Sequence, residues 1–401
     1  MPASRERWLL LVLVPVLAFP VVYLSLAQPR PLWDEGINHL PVIERFGPGL
    51  PGLDDLRGYT TAVGPLFYVV FANLGALFGN SLFGFRLVVF LLAAANVLLF
   101  YATGRRFAPE RRIAPLLLLA SYPYFFTLSG LLMSEHLALF FGLLALLGYL
   151  RWTESSRAGP LAVCLLAAAL AIPTRQFYAF LPVGLTVAEF LRARGPRRAH
   201  ALVFLLPLLS LVPLLLAWHG LTPPAVQGVH TPGFSPPALS SVLVWTGLFF
   251  LPHFITGLAR QRFRPSPWLA FALPAVPLAL LFPPSGTGLT RTILDRLPAP
   301  LSAAAAALLA LLGAGYLITV ILRLKTSPPA RRAPAIAGLF VLLVLTGIGP
   351  LVFERYFLPG FVLLLLFELP DIRTWWTTAW SLGFQLPLAI VQLLRLAPVA
   401  G

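Results

Sequence analysis

The chain has 401 residues, of which 58% are hydrophobic and only 11% are charged, and its formal net charge is +15. Soluble domains average about 25% charged residues, so this composition excludes an ordinary soluble domain and predicts an all-α polytopic membrane protein. All but one of the 29 basic residues are arginine, and they lie in short loops between apolar runs. That pattern is typical of membrane topology, so no nucleic-acid partner is expected.

The first predicted element is an apolar span at 8–27, which follows Arg5 and Arg7. Its apolar stretch is longer than the core of a signal peptide, which is about 7–15 residues. We therefore interpret it as a retained membrane span. A signal peptide cleaved after Ala27 is the alternative.

A first outer loop at 28–83 concentrates acidic residues. Of the 14 acids in the chain, it holds Asp34, Glu35, Glu44, Asp54 and Asp55. A carboxylate beside a membrane span can act as a general base on a hydroxyl group. Asp34 and Glu35 are therefore candidate catalytic residues, and a solvated loop end beside an interfacial tryptophan is the alternative.

The apolar stretch 62–78 in this loop is either a membrane crossing or a juxtamembrane helix. If it crossed, every later arginine cluster would change side, which breaks the positive-inside rule. We therefore predict a juxtamembrane helix at 62–78, with Gly64 and Pro65 at its start. The rest of the bundle is expected within 84–394, with spans at 84–104, 113–129, 131–150, 160–174, 177–191, 201–218, 239–258, 268–282, 301–322, 335–352, 356–369 and 375–394.

Three polar motifs fall at the predicted outer ends of later spans: Ser134-Glu135-His136, Thr174-Arg175-Gln176 and Glu354-Arg355-Tyr356. Glu135 either binds substrate or favours a helix start through the helix dipole. Arg175 either holds a carboxylate or phosphate, or snorkels from a tight hairpin. Glu354 and Arg355 either bind a ligand or form a structural ion pair. Ionisable residues are rare near the middle of the spans, which disfavours an ion-coupled transporter.

The ordered motifs resemble those of the GT-C superfamily of membrane glycosyltransferases, and most closely the dolichyl-phosphate-glucose α-1,2-glucosyltransferases of N-glycan precursor assembly. The resemblance lies in Pro31-Leu32-Trp33-Asp34-Glu35-Gly36-Ile37-Asn38-His39, Tyr59-Thr60-Thr61, Pro65-Leu66-Phe67-Tyr68, Ser134-Glu135, Arg175-Gln176, Pro252-His253 and Glu354-Arg355-Tyr356. It implies one integral-membrane domain over 1–401, built as a GT-C-like bundle of about 13 transmembrane helices.

The same resemblance implies a single inverting displacement at the outer face. Asp34, with Glu35 as second candidate, would deprotonate an acceptor hydroxyl that attacks the donor sugar. The expected sugar is a hexose, with glucose first. The implied substrate-binding residues are His39, Glu135, Arg175, Gln176, Glu354, Arg355 and Tyr356, with Arg355 first and Arg175 second at the leaving phosphate.

The expected partners are membrane lipid, a polyprenyl-phosphate-sugar donor, and a glycan or lipid-linked acceptor. No metal or cofactor is expected, since the lipid-linked sugar is a co-substrate. The composition is typical of bacteria, so we expect a bacterial inner-membrane protein whose active site faces the periplasm or the outside. A polytopic transporter or glycan flippase without covalent chemistry is the alternative, and an O-antigen ligase or polymerase is a second.

Overall fold

A computed structural model describes nine stretches of the chain, and among these residues the backbone forms helices and two isolated β-bridges. The described residues are 3–32, 34–58, 60–108, 114–193, 195–228, 233–260, 271–349, 352–372 and 379–396. The chain divides into two compact units. Unit 1 comprises Met1–Val229 and Thr378–Gly401, and unit 2 comprises His230–Thr377.

Unit 1 begins with the apolar helix α1 and continues through the first loop into a series of long and short helices. They are α1 (Ala3–Ala27), α2 (Leu40–Phe46), α3 (Leu53–Gly58), α4 (Pro65–Phe78), α5 (Leu82–Gly104), α6 (Ala114–Ser121), α7 (Pro123–Leu128), α8 (Glu135–Ser155), α9 (Ala158–Thr174), α10 (Phe180–Arg192) and α11 (Val212–Trp218). A π-helical turn, Asp34–His39, leads directly into α2, and a 3-10 helix, Gly195–Leu211, leads into α11.

The first loop is folded into the core of unit 1. Phe67 and Phe71 of α4 are fully buried, in one apolar cluster with Ile43 of α2 and Leu137 of α8. Trp218 belongs to the same cluster, and its indole Nε1 donates a hydrogen bond of 2.7 Å to a backbone carbonyl of α3. The loop that carries the acids therefore has a fixed position in its unit.

Proline breaks one predicted span. The apolar stretch predicted at 113–129 forms two helices, α6 and α7, and Pro123 is the first residue of α7. Proline has no N–H to donate to the preceding turn, so it begins helices more easily than it continues them. The span predicted at 131–150 likewise begins at Glu135, after a short non-helical connection.

Unit 2 contains two long helices in close contact and several shorter ones. They are α12 (Pro236–Arg260), α13 (Ala275–Leu281), α14 (Leu289–Leu294), α15 (Ala299–Leu324), α16 (Pro329–Gly347) and α17 (Leu358–Glu368). Gly247 of α12 and Gly313 of α15 let the two backbones touch, because a Cβ on either would lie within 2.0 Å of a carbonyl oxygen of the other helix. Small residues permit such close helix packing in membranes. A final helix, α18 (Leu386–Leu396), returns to unit 1.

A partly buried charge network lies at one end of unit 2. Arg323 donates to both oxygens of Glu368 and also pairs with Asp371, which Arg331 contacts as well. Both guanidinium groups lie within 4.7 Å of the centre of the Phe367 ring. The two arginines and two acids neutralise one another, which offsets the desolvation cost of burying the Glu368 carboxylate.

Six helical segments of the described chain are long and apolar enough to cross a membrane: Leu82–Gly104, Glu135–Ser155, Arg198–Trp218, Pro236–Thr256, Ala299–Leu324 and Pro329–Gly347. Shorter apolar helices include Val16–Ala27 and Pro65–Leu77. The predicted all-α polytopic membrane architecture is thus confirmed. The number of about 13 spans, the sidedness of the loops and the single domain stay predictions.

Candidate active site

The two neighbouring acids of the first loop lie in the π-helical turn Asp34–His39. A π turn spaces the hydrogen-bonded residues more widely than an α turn and is common at functional sites. Asp34 is half-buried, and its Oδ1 accepts a hydrogen bond of 2.9 Å from the Nδ2 of Asn38. Glu35 points elsewhere and is only 1% exposed. The turn therefore gives two adjacent carboxylates different surroundings.

Both carboxylate oxygens of Glu35 accept two hydrogen bonds each. Its Oε1 accepts from the Leu132 backbone N–H at 2.8 Å and from Arg86 Nε at 3.0 Å. Its Oε2 accepts from the Leu32 backbone N–H at 2.9 Å and from Arg86 Nη2 at 2.6 Å. A carboxylate offers about four acceptor positions. Little capacity is left for a substrate proton, so the geometry favours Asp34 over Glu35 as a general base.

Arg86 links Glu35 to the C-terminal end of α1. The Arg86 side chain is 1% exposed, and its guanidinium donates to the carbonyl oxygens of Leu24 at 3.0 Å, Gln28 at 2.7 Å and Arg30 at 3.4 Å. Carbonyls at a helix C-terminus have no partner within the helix, and an arginine satisfies them well. The Glu35–Arg86 pair thus ties the π turn to α1, α5 and the residues before α8.

A second buried ion pair joins the start of α8 to the end of α9. Arg175 Nη2 donates to Glu135 Oε1 at 2.6 Å, and Arg175 Nε donates to Ser134 Oγ at 2.7 Å. Glu135 and Arg175 are 4% and 5% exposed. Next to them, the Nε2 of Gln176 is buried, and no hydrogen-bond partner for it exists among the described residues. The predicted residues of both motifs therefore converge on one place.

The hydroxyl group of Tyr68 contacts two polar residues of the first loop. Its phenol oxygen is 3.1 Å from His39 Nδ1 and 2.5 Å from Thr61 Oγ1, and the side chain is fully buried. Burial raises the pKa of this phenol, so it stays protonated and has one hydrogen to share between two partners. The charges of Arg175, Glu135 and Asp34 also act on the phenol. Tyr68 thus links His39, at the end of the π turn, to Thr61.

A glycine lets the juxtamembrane helix approach the end of α9. The Gly64 backbone N–H donates to the carbonyl of Thr174 at 3.2 Å. A Cβ at Gly64 would lie 2.0 Å from the carbonyl oxygen of Pro173, which is far inside contact distance. The absence of a side chain therefore brings α4, with Tyr68, next to the segment that carries Arg175.

The remaining predicted site residues lie in unit 2. Glu354 is fully buried and its carboxylate accepts from the backbone N–H of Thr290 at 2.9 Å and from the Thr290 hydroxyl at 2.6 Å. This contact satisfies donors at the start of α14. The Arg355 guanidinium lies 4.7 Å from the centre of the Phe353 ring and 5.7 Å from that of Tyr356. Substrate binding by Glu354, Arg355 and Tyr356 stays a prediction.

No site role was predicted from the sequence for Tyr68, Thr61 or Arg86, although Tyr68 and Thr61 belong to motifs that carry the family resemblance. Tyr68 lies in an apolar run, Thr61 in a short turn, and Arg86 inside a span, so none forms a polar motif of its own. The available signal for Arg86 was its charge within an otherwise apolar span, because such a charge requires a partner that neutralises it. Trp33 and Tyr59 lie outside the described residues.

Three comparisons with known proteins bear on this geometry. Residues 62–218 match the family described as dolichyl-phosphate-mannose-protein mannosyltransferase. The matched segment includes Tyr68, Arg86, Glu135 and Arg175, and it ends before unit 2. A search of the curated proteins finds no match.

Among solved structures, the chain is similar to ArnT from Cupriavidus metallidurans bound to undecaprenyl phosphate. The identity is 16% and the TM-score 0.46, over 92% of this chain and 78% of that one. The apo state of the same protein matches over the same shares at 16% identity, with a TM-score of 0.38. At this identity and these scores, neither structure transfers a ligand or a residue role to this chain.

Proposed function

We propose that the protein is a glycosyltransferase of the GT-C type, which moves a sugar from a polyprenyl-phosphate-linked donor to an acceptor hydroxyl. One observation carries the proposal: the half-buried Asp34 lies beside a buried Glu35–Arg86 pair whose carboxylate is fully hydrogen-bonded, in the same unit as the buried Glu135–Arg175 pair. The family match over 62–218 supports the reaction class. The many apolar helices suit a lipid-linked substrate.

Asp34 is the proposed general base. In a single displacement, the acceptor oxygen forms a bond to the anomeric carbon while the bond from that carbon to the phosphate oxygen breaks. The proton of the acceptor passes to the Asp34 carboxylate, and the lipid phosphate leaves with the bonding electrons. General-base catalysis of this kind contributes about 10²–10⁴-fold to the rate. The hydrogen bond from Asn38 holds the carboxylate in one orientation.

The Glu135–Arg175 pair is the proposed sugar- and phosphate-facing element of unit 1. A guanidinium stabilises negative charge that develops on a leaving phosphate. The buried amide nitrogen of Gln176 is a further donor for an oxygen of the substrate. His39, held by Tyr68, is proposed to orient a hydroxyl group of the sugar or the acceptor.

The finer features of the proposal come from the motifs alone. They are a hexose donor, with glucose first, inversion at the anomeric carbon, a glycan or lipid-linked acceptor, and a site on the periplasmic or outer face of a bacterial inner membrane. Glu35 keeps a structural role in this proposal, because its oxygens are already occupied by four donors.

Asp34→Asn is the test of the proposal. Purified protein in detergent is incubated with a panel of prenyl-phosphate hexoses, and donor loss is followed by mass spectrometry. We expect the variant to retain donor binding while turnover falls by about 10²–10⁴-fold. Glu44→Gln is the matched control, since Glu44 is an exposed acid of the same loop and should turn over normally.

Two outcomes would contradict the proposal. Full turnover in Asp34→Asn would remove this carboxylate from the chemistry. Transport of a lipid-linked glycan across vesicles by the wild-type protein, with no covalent change in any donor, would instead favour the flippase alternative.

A further inference from the structure

The helix pair α8 and α9 encloses a cleft on the surface of unit 1. It has a volume of about 250 Å³ and is lined by Leu144, Leu147, Gly148, Arg151, Pro160 and Val163. Five of these six residues are apolar or have no side chain. The exception is Arg151, which is exposed in the last turns of α8. The cleft therefore has an apolar body and a cationic end.

Close helix packing makes the floor of this cleft. A Cβ at Gly148 would lie 2.8 Å from the backbone nitrogen of Cys164 and 3.0 Å from the carbonyl oxygen of Pro160. The open side continues into an apolar face of α9, where Val163 is 42% exposed and Leu166 is 65% exposed. In a membrane protein such a face contacts acyl chains, so the cleft opens toward lipid.

The polar end of the cleft holds positive charge that the surrounding protein does not neutralise. Arg157 precedes α9, and within the described part of the chain neither its guanidinium nor that of Arg151 has a hydrogen-bond or ion-pair partner. The nearby acid Glu154 forms an ion pair with Arg106. Both unpaired arginines belong to a cluster that the positive-inside rule predicts on the cytoplasmic side, where anionic lipids are enriched.

We propose that this cleft binds one phospholipid with an anionic head group. An acyl chain lies along Leu144, Leu147 and Val163, and the phosphate lies beside Arg151 at the polar end of the cleft. Arginine binds phosphate oxygens with charge-assisted hydrogen bonds, and its weak hydration favours this role at a membrane boundary. The site takes part in no step of the proposed transfer reaction and does not depend on it.

Native mass spectrometry of the purified protein tests the head-group assignment. The protein is titrated in detergent with phosphatidylglycerol or with phosphatidylcholine of the same acyl chains. We expect Arg151→Ala to weaken phosphatidylglycerol retention by about five-fold, while phosphatidylcholine retention stays low throughout. Arg105→Ala is the matched control, since Arg105 is an exposed arginine outside the cleft and should leave retention unchanged.

Val163→Trp tests the apolar part of the site without touching a charge. The position is exposed, so the larger ring fills the cleft without disturbing the packed interior, and phosphatidylglycerol retention should fall. Equal losses in Arg105→Ala and Arg151→Ala would overturn the proposal in favour of diffuse surface charge. Equal retention of phosphatidylcholine would overturn it as well, and so would unchanged retention in Val163→Trp.

Discussion

Removing the charge of Glu35 should lower the stability of the protein, whereas removing that of the adjacent Asp34 should leave stability nearly unchanged. Glu35→Gln removes the negative charge opposite a buried guanidinium and replaces one acceptor oxygen with an NH₂ group. Whichever way the amide is oriented, its NH₂ faces two donors, either Leu32 N–H with Arg86 Nη2 or Leu132 N–H with Arg86 Nε. The variant therefore leaves a buried cation unpaired and creates donor–donor contacts.

The size of the effect follows from the burial. Both Glu35 and Arg86 are 1% exposed, so solvent cannot compensate for the lost partner. Breaking a buried ion pair by removing one member costs about 3–5 kcal/mol. We expect Glu35→Gln to lose stability of this order, together with activity, because the π turn loses its attachment to α1 and α5.

Equilibrium unfolding in mild detergent, followed by tryptophan fluorescence, measures the free-energy difference. Asp34→Asn is the matched control, because Asp34 is half-buried and its neighbour Asn38 remains available to the new amide. We expect that variant to unfold within about 1 kcal/mol of the wild type, as ordinary surface substitutions do. Wild-type stability in Glu35→Gln would refute the structural role given to the Glu35–Arg86 pair.

Three further substitutions test other contacts. Gly64→Ala places a Cβ 2.0 Å from a carbonyl oxygen and should cost about 1–3 kcal/mol by unfolding, whereas Gly159→Ala, with no atom within 4 Å, should be nearly neutral. Tyr68→Phe removes the hydroxyl shared by His39 and Thr61, and steady-state assays should show roughly ten-fold lower kcat with little change in KM. Thr290→Val removes one donor to the buried Glu354 and should lower stability by about 1–3 kcal/mol, measured by thermal unfolding; an unchanged value in any of the three would contradict the corresponding contact.

Local sequence patterns predicted much of the fold because they depend on interactions between residues that are close in the chain. The apolar run at 62–78 forms helix α4, and Pro65 begins it as a proline at the first helical position should. The sequence left a carboxylate partner, a phosphate ligand and a snorkelling position open for Arg175, and the structure pairs it with Glu135. A cation in an apolar hairpin needs such a partner, so the type of contact follows from its environment.

Local sequence patterns could not predict contacts between residues that are far apart in the chain. Glu35 and Arg86 are 51 positions apart, and no local pattern distinguishes Glu35 from the adjacent Asp34. Their different burial depends on which side of the π turn faces the backbone of Leu132. Tyr68 belonged to a motif of the family resemblance, but no role for its hydroxyl was predicted, because a tyrosine in an apolar helix is usually a packing residue until its hydroxyl partners are known.

The anchoring of Glu35 also has a consequence for how the protein is made. The ribosome completes the π turn long before it reaches Arg86 and Leu132, which together supply three of the four donors to the Glu35 carboxylate. A nascent chain that has released only its first helix therefore still lacks the groups that hold Asp34 in place. The Glu35 carboxylate can reach its final contacts only after α5 and the connection before α8 are in place, so an insertion error there would disturb the π turn without changing its acids.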